Sequence, residues 1–184
     1  MRLDYFNKMI WCQFVGVFAL SFLIHSCKSD FEKAYDSLNN SKIVIPSNMS
    51  VTCEGKDTII NNIWKSDFKL VVYKDSMSCT PCFIETLPQW ENILNKYDSK
   101  KLSILFILSP TKTKENDLRL LLQFSDFKYP VILDFEKSFR SANLQIPENK
   151  LFHTFLLDKN NKVILVGDPL NNIEINNLFK KRLK

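Results

Sequence analysis

Two continuous apolar runs constrain the fold of this chain most. Residues 68 to 73 read FKLVVY and residues 102 to 108 read LSILFIL, and each run has the length of a strand. Such runs are typical of strands that are covered on both faces, as in a parallel sheet. Between them, apolar residues recur at helical spacing over residues 80 to 98. The pattern therefore predicts a strand, a crossover helix and a second strand parallel to the first.

Shorter elements surround this unit. Lys159-Asn160-Asn161 separates two apolar runs and predicts a β-hairpin turn. Strands are predicted at residues 43–45, 51–53, 130–134, 152–158 and 162–167. Further helices are predicted at 115–127, at 136–144 and at the C-terminus, with Asn171 or Asn172 as the last helix's N-cap. This order predicts an α/β fold with a central mixed sheet flanked by helices.

The N-terminal segment predicts export. Arg2 and Lys8 precede an apolar run of 15 residues, which suits a signal peptide and is short of the ~20 residues of a membrane span. The run ends at Ile24-His25-Ser26-Cys27, which resembles a bacterial lipobox despite the unusual His25. We expect a signal peptide over 1–26 and lipid on Cys27. An uncleaved anchor helix or an ordinary secretory signal would also place the rest of the chain in the periplasm or at the cell surface.

Residues 27–50 predict an N-terminal extension, and residues 51–184 one domain with a sizeable core. The extension is polar, with apolar residues at helical spacing at Phe31, Ala34, Tyr35 and Leu38. It could serve as a tether or form a short helix that packs on the domain. The formal net charge is +5, and its one basic cluster, KKRLK at 180–184, suits the last turn of a helix. No motif favours nucleic-acid binding.

Three cysteines remain once Cys12 leaves with the signal and Cys27 is lipidated. Cys79-Thr80-Pro81-Cys82 forms a CxxC pair directly after the first apolar strand, and Cys53 lies in a predicted strand. In an oxidising compartment two thiols at this spacing are usually a disulfide. We expect Cys53 to be a small buried residue rather than a third redox thiol.

The pair has three interpretations: a redox centre, a structural disulfide or half of a metal site. A closed zinc site needs about four ligands, whereas the mature chain offers one histidine, one further cysteine and no second CxxC. We therefore expect no metal and no cofactor. In a redox centre, Cys79 would gain thiolate character at the helix start, and Pro81 is tolerated in a first turn. Cys82, one turn on, would be the more buried, resolving thiol.

A buried strand, a CxxC at a helix start and a late hairpin, HTFLLDKNNKVILVGDP, together resemble the thioredoxin superfamily over residues 57 to 184. The resemblance extends to its membrane-tethered extracytoplasmic branch, the TlpA-like proteins. It implies a three-layer sandwich and a thiol–disulfide oxidoreductase that reduces or exchanges disulfides. The implied partners are disulfide- or thiol-bearing proteins and a membrane-linked electron donor.

The chain departs from that pattern around the cysteines. The usual tryptophan before the first cysteine is Ser78, and LVVYK lacks the buried acidic residue of thioredoxin. Asp75 is the acidic residue nearest to the pair on its N-terminal side. Pro88 falls one residue later than the helix proline of thioredoxin, so its kink is expected to shift. Glu85 matches an acidic position of some tethered relatives, where it could transfer protons or simply be solvated.

The hairpin departs further. Phe152 occupies the place of the cis-proline that normally faces the disulfide, and a cis bond without proline costs about 2.5–4 kcal/mol. We therefore expect a trans bond, and substrate docking there is in doubt. His153 could stabilise the Cys79 thiolate as an imidazolium, or point to solvent from an edge strand.

Two other functions remain open from the sequence. A binding or assembly lipoprotein could retain the fold with a structural disulfide. A peroxiredoxin-like peroxidase would need a proline and a threonine ahead of a single reactive cysteine, and DSMSC at 75–79 supplies neither.

Overall fold

A computed structural model describes residues 28–59, 65–75 and 80–184. The chain divides into two compact units, Met1–Lys33 and Ala34–Lys184, and the second contains the whole sheet. The strands are β1 (Ser50–Cys53), β2 (Lys56–Asp57), β3 (Phe68–Lys74), β4 (Leu102–Leu108), β5 (Val131–Leu133), β6 (Thr154–Leu157) and β7 (Val163–Val166). The α-helices are α1 (Asp30–Leu38), α2 (Thr80–Thr86), α3 (Glu91–Leu94), α4 (Glu115–Phe124), α5 (Ser138–Ala142) and α6 (Ile173–Arg182).

The strands form one mixed sheet in the order β2-β1-β5-β4-β3-β6-β7. β3 and β4 pair in parallel from Phe68 opposite Leu102 to Lys74 opposite Leu108, and β4 also pairs in parallel with β5. The remaining neighbours are antiparallel. The predicted parallel pair at the centre of a mixed sheet is confirmed.

Each face of the sheet carries its own hydrophobic core. Alternate residues of β3 point to opposite faces, so Val72 packs in one core and Val71 in the other. The first core includes side chains from α2, α3, α4 and α6, such as Ile84 and Phe179. The second includes Leu38 of α1 and Phe139 of α5. Helices therefore flank the sheet on both faces, as the sequence predicts.

The predicted helix over residues 80 to 98 is interrupted. α2 ends at Thr86, a 3₁₀ turn covers Leu87–Trp90, and α3 ends at Leu94. Pro88 lies in the first turn of this 3₁₀ segment. Proline lacks the N–H that would continue the α-helical hydrogen bonds, and its ring clashes with the preceding turn. Leu87 and Trp90 remain buried in the first core, so the apolar face continues through the break.

The N-terminal predictions have different outcomes. Ser29 and Glu32 exchange hydrogen bonds as a capping box, with the Ser29 N–H donating to Glu32 Oε2 at 2.8 Å. The strand predicted at 43–45 is wrong: Ile43 is a buried core residue outside any strand, and its N–H donates to the Asn161 carbonyl at 2.8 Å. From Ala34 onwards the predicted extension packs on the domain.

The export signal falls outside this description. The predicted signal peptide over 1–26 and Cys27 lie outside the described residues, and their roles stay predictions. Within the described ranges, no helix combines the length and the apolar character needed to cross a membrane.

Candidate active site

Four strands end at the same edge of the sheet. β3, β4 and β5 are mutually parallel, and β7 is parallel to β3 because β6 is antiparallel to both. Carboxyl ends of parallel strands are where open α/β sheets bind ligands. The residues that follow β3 and β7 therefore meet near the start of α2, where the CxxC pair lies in the sequence.

Cys82 is the third residue of α2 and is disulfide-bonded. The buried side chains of Phe83 and Ile84 fix this turn against the first core. Cys82 itself is exposed, so the expectation of a buried resolving thiol is wrong in this form of the protein. The helix presents its apolar side to the sheet through Phe83 and Ile84, which leaves Cys82 accessible. Cys79 lies outside the described residues.

Cys82 opens onto a cavity of about 470 Å³. This cavity, here the Cys82 cavity, is lined by Val72, Lys74, Cys82, Phe83, Thr86, Gln89, Trp90, Asp168, Leu170 and Asn171. Its walls combine side chains of β3, of α2 and of the segment after β7. A disulfide-bonded cysteine, an amine and a carboxylate thus share one solvent-accessible space.

Lys74 ends β3 on the same face as Val72 and is half-buried. Its Nζ lies 5.1 Å from the centroid of the Phe83 ring, a cation–π distance. Burial lowers the pKa of Lys74, and the negative charge of Asp168 opposes that shift. Among the described residues, the Lys74 ammonium forms no ion pair within 4 Å.

Asp168 is held by the loop that follows β7. Its Oδ1 accepts a hydrogen bond from the Leu170 N–H and its Oδ2 one from Asn171 Nδ2, both at 2.8 Å. Gly167 directly before it has a φ of +127°, and a Cβ there would lie 3.0 Å from the Ile175 side chain. The approach of this loop to the site therefore depends on glycine.

A second cavity, of about 550 Å³, lies on the opposite face of the sheet. We call it the His153 cavity. It is lined by Tyr73, Asp75, Ser109, Lys137, Arg140, Glu148, Lys150 and His153. Tyr73 and Asp75 alternate with Lys74 along the chain, which explains why one strand end serves two cavities. A third cavity, of about 580 Å³ beside β1 and β2, contains neither Cys82 nor His153.

His153 is buried, with 4% of its surface exposed. Its Nε2 lies 3.0 Å from the Pro147 carbonyl oxygen, so Nε2 carries the proton and donates. Its ring centroid is 5.1 Å from that of Tyr73. Burial lowers the pKa of His153, so the imidazole is mostly neutral at neutral pH. The solvent-facing histidine is therefore wrong, and this pKa disfavours the imidazolium.

The loop before β6 also differs from the prediction. The expected strand at 152–158 begins only at Thr154, because Lys150–Phe152 forms a 3₁₀ turn whose N-cap Asn149 accepts from the Leu151 N–H at 3.1 Å. Phe152 is 2% exposed and belongs to the second core. The described residues contain no cis peptide bond, which confirms the trans bond expected at Phe152.

The other predicted residues take less central places. Pro81 lies in the first turn of α2, and Glu85 is exposed on the same helix outside the described lining of the Cys82 cavity. Cys53 is a free thiol in β1, half-buried, with Sγ 3.4 Å from the Lys128 carbonyl oxygen. Burial, with a smaller contribution from Glu54, raises the pKa of Cys53, which makes it a poor nucleophile. The described residues contain no cluster of three or more metal-ligating side chains.

The sequence interpretation missed Lys74 and Asp168. The signal for Lys74 was strand alternation, since Lys74 shares a face with Val72 and hence with the helix that carries Cys82. The signal for Asp168 was the hairpin, which returns β7 parallel to β3 and places the following residue at the same edge.

Comparison with protein-family models and with curated proteins finds no match. Solved structures do match. The thioredoxin domain of a thiol-disulfide oxidoreductase from Bacteroides vulgatus is 15% identical, with 79% of this chain and 98% of that one covered and a TM-score of 0.52. A structure from Chlorobium tepidum assigned as the thiol:disulfide interchange protein DsbE is 17% identical, with 78% and 99% covered and a TM-score of 0.52. Peroxiredoxin Q of Xanthomonas campestris is 17% identical, with 79% and 100% covered and a TM-score of 0.49, too low to support an argument. The chain has a thioredoxin-like fold.

Proposed function

We propose that this protein is a lipid-anchored extracytoplasmic thiol–disulfide oxidoreductase that uses Cys79 and Cys82 to reduce or exchange disulfides in partner proteins. The observation that carries the proposal is the state and position of Cys82. It is disulfide-bonded, exposed, and set in the first turn of the helix after β3 in a thioredoxin-like fold. Cys53, the other cysteine of the described residues, is free. The CxxC spacing makes Cys79 the natural partner of Cys82.

The chemistry follows from the pair. In the reduced protein, the Cys79 thiolate attacks a partner disulfide and forms a mixed disulfide, releasing one partner thiol. Cys82 then attacks the Cys79 sulfur, which releases the second partner thiol and leaves the Cys79–Cys82 disulfide. The partner gains two electrons and the pair loses two. A membrane-linked dithiol donor would return the pair to the reduced state.

The proposed location rests on the N-terminal sequence. A charged start, an apolar run of 15 residues and the lipobox-like segment ending at Cys27 support export and lipidation. The proposed division is a signal peptide over 1–26 and a lipid on Cys27 that tethers the compact unit. Replacing Cys27 with alanine should release the protein from the membrane fraction without changing the redox state of the pair.

One observation favours a second candidate, a binding or assembly lipoprotein with a structural disulfide. The loop that normally docks substrate is here a 3₁₀ turn with buried Phe152 and His153. A protein that no longer docks substrate in that loop could retain the disulfide for stability alone. The two candidates predict different redox behaviour of the same bond.

A redox titration of the full chain separates them. The protein is equilibrated with dithiothreitol buffers, thiols are trapped with a maleimide that retards migration, and insulin reduction is assayed in parallel. An oxidoreductase should titrate reversibly near the ~−270 mV of thioredoxin or above and should reduce insulin. A bond that resists reduction to far lower potentials, with no insulin reduction, would reject the oxidoreductase. A Cys53→Ser variant serves as the control and should behave like wild type.

A further inference from the structure

The Cys82 cavity places an amine close to the cysteine. Lys74 extends from β3 toward α2, and its Nζ stacks 5.1 Å from the ring of Phe83, the residue that follows Cys82. Phe83 is 8% exposed and fixed in the first core, so it holds the ammonium at the wall of the cavity. Two independent observations, the cation–π contact and the shared lining, thus place Lys74 beside Cys82.

The charges around Lys74 leave its ammonium available. Asp168 attracts it from the segment after β7, Asp75 does so more weakly from the end of β3, and Lys150 opposes them from the opposite face. Asp168 is not closed into an ion pair, because its two oxygens accept hydrogen bonds from the Leu170 N–H and Asn171 Nδ2. With no ion pair among the described residues, Lys74 can favour a negative charge that forms in the cavity.

We infer that Lys74 is a positioning residue that stabilises the thiolate of Cys82, and that Asp168 keeps Lys74 protonated in the half-buried cavity. The inference rests on the proposed function for its role in turnover. A cation beside a thiol favours the thiolate. Cys82 is then partly ionised at neutral pH, in contrast to a shielded thiol that ionises only once a mixed disulfide has formed.

The consequence falls on the resolving step. A partner linked through Cys79 is released when the Cys82 thiolate attacks the Cys79 sulfur. The bond between Cys79 and the partner breaks, the Cys79–Cys82 bond forms, and the partner sulfur leaves as a thiolate that takes a proton from water. The proton that Cys82 loses beforehand passes to water through the open cavity. Lys74 raises the thiolate fraction of Cys82, so release is faster at neutral pH and the reduced pair is stabilised.

Alkylation of Cys82 tests the inference directly. In full-length protein carrying Cys79→Ser, the iodoacetamide rate at Cys82 is followed from pH 5 to 10 by mass spectrometry of the Cys82 peptide. We expect Lys74→Met to slow alkylation at pH 7 about three- to tenfold and to move the pH midpoint upward, since tenfold in thiolate population is about 1.4 kcal/mol. Lys74→Arg, which keeps the charge, should stay close to the parent.

The matched control is Lys150→Met, which removes a lysine from the His153 cavity. It should leave the rate at Cys82 within about twofold, because Lys150 is exposed and the charge is screened. If Lys74→Met does not fold, as judged by circular dichroism, Lys74→Gln replaces it. An unchanged pH midpoint in the folded variant overturns the inference, and so does an equal effect of Lys150→Met.

The failure of the inference differs from the failure of the proposed function. Alkylation reads the Cys82 thiolate in a protein that cannot form the pair, whereas the redox titration reads the pair in wild type. A reversible pair with a pH midpoint independent of Lys74 rejects only the inference. An irreducible pair rejects the oxidoreductase and leaves the electrostatic effect of Lys74 to be judged by alkylation alone.

Discussion

The two faces of the sheet meet at the end of β3 with opposite designs. On one face, the half-buried Lys74 shares the Cys82 cavity with a disulfide-bonded cysteine and makes no ion pair with the described residues. On the other, His153 is buried, donates to the Pro147 carbonyl and packs against Tyr73. Both side chains are titratable and lie at the same edge, yet only Lys74 is both charged at neutral pH and open to a reacting group.

The difference lies in what each group would lose by ionising. The His153 imidazole would carry a charge into a buried site beside Arg140 and Lys74, whose charges disfavour the imidazolium. The Lys74 ammonium keeps partial contact with water and an acidic neighbour in Asp168. Burial and partners, rather than residue type, decide which cation could take part in thiol chemistry.

The sharpest division between the two faces concerns activity. Cys82→Ser should abolish insulin reduction, because the mixed disulfide on Cys79 can no longer be resolved and accumulates as a trapped adduct. Cys53→Ser should retain at least half of the wild-type rate. Non-reducing electrophoresis with the insulin assay checks both. Undiminished turnover by Cys82→Ser would place the chemistry elsewhere and dissolve the comparison.

Stability should respond most on the His153 face. Asp134 is 1% exposed and accepts hydrogen bonds from the Ser138 N–H, the Ser138 hydroxyl and the Phe139 N–H, each at 2.8 Å. Asp134→Ala leaves these donors at the start of α5 without their acceptor, so we expect a loss of about 2 kcal/mol in the free energy of unfolding.

Asp168→Ala is the counterpart on the Cys82 face. Asp168 is only half-buried, so its loss should cost about 0.5 kcal/mol. Urea unfolding followed by circular dichroism measures both variants. Equal losses would show that the two faces do not differ in this way.

His153→Ala tests the histidine on both counts. We expect a loss of about 1–2 kcal/mol, because the Pro147 carbonyl loses its donor and Tyr73 loses a packing partner. The Cys79 alkylation midpoint, measured with Cys82→Ser as background, should not move upward, since a neutral imidazole contributes no charge. An upward movement would return His153 to the mechanism as an imidazolium.

The sequence predicted elements where local chemistry decides. LSILFIL matches β4 at Leu102–Leu108, and Asn172 caps α6 by accepting from the N–H groups of Glu174 and Ile175. Continuous apolarity and a capping side chain are written in a few adjacent residues. The two parallel strands followed for the same reason, and with them the fold.

The site was less predictable because it depends on distant contacts. Nothing local shows that Phe152 is drawn into the second core or that His153 lies against Tyr73 from β3. The sequence indicated the one mature histidine as the cation beside the cysteines, whereas the structure favours Lys74. Residue type suggested a candidate, and only the packing showed which charge survives.

The smallest expected effect is the pH dependence that His153 gives to stability. Burial lowers its folded pKa, with Arg140 and Lys74 also disfavouring the charged form and Pro147 and Asp75 favouring it. Between the folded pKa and the unfolded value of about 6.5, the unfolded chain binds the extra proton, so stability is full above about pH 6.5 and falls as the pH drops toward the folded pKa. His153→Gln keeps a donor for the Pro147 carbonyl but does not titrate. The difference in unfolding free energy between wild type and His153→Gln should therefore be constant above pH 7 and move against wild type below pH 6.5. Urea titrations at pH 7.5, 6.5, 5.5 and 4.5 measure it. A difference that moves in favour of wild type as the pH falls would mean that His153 is charged in the folded protein, which would make the two faces alike.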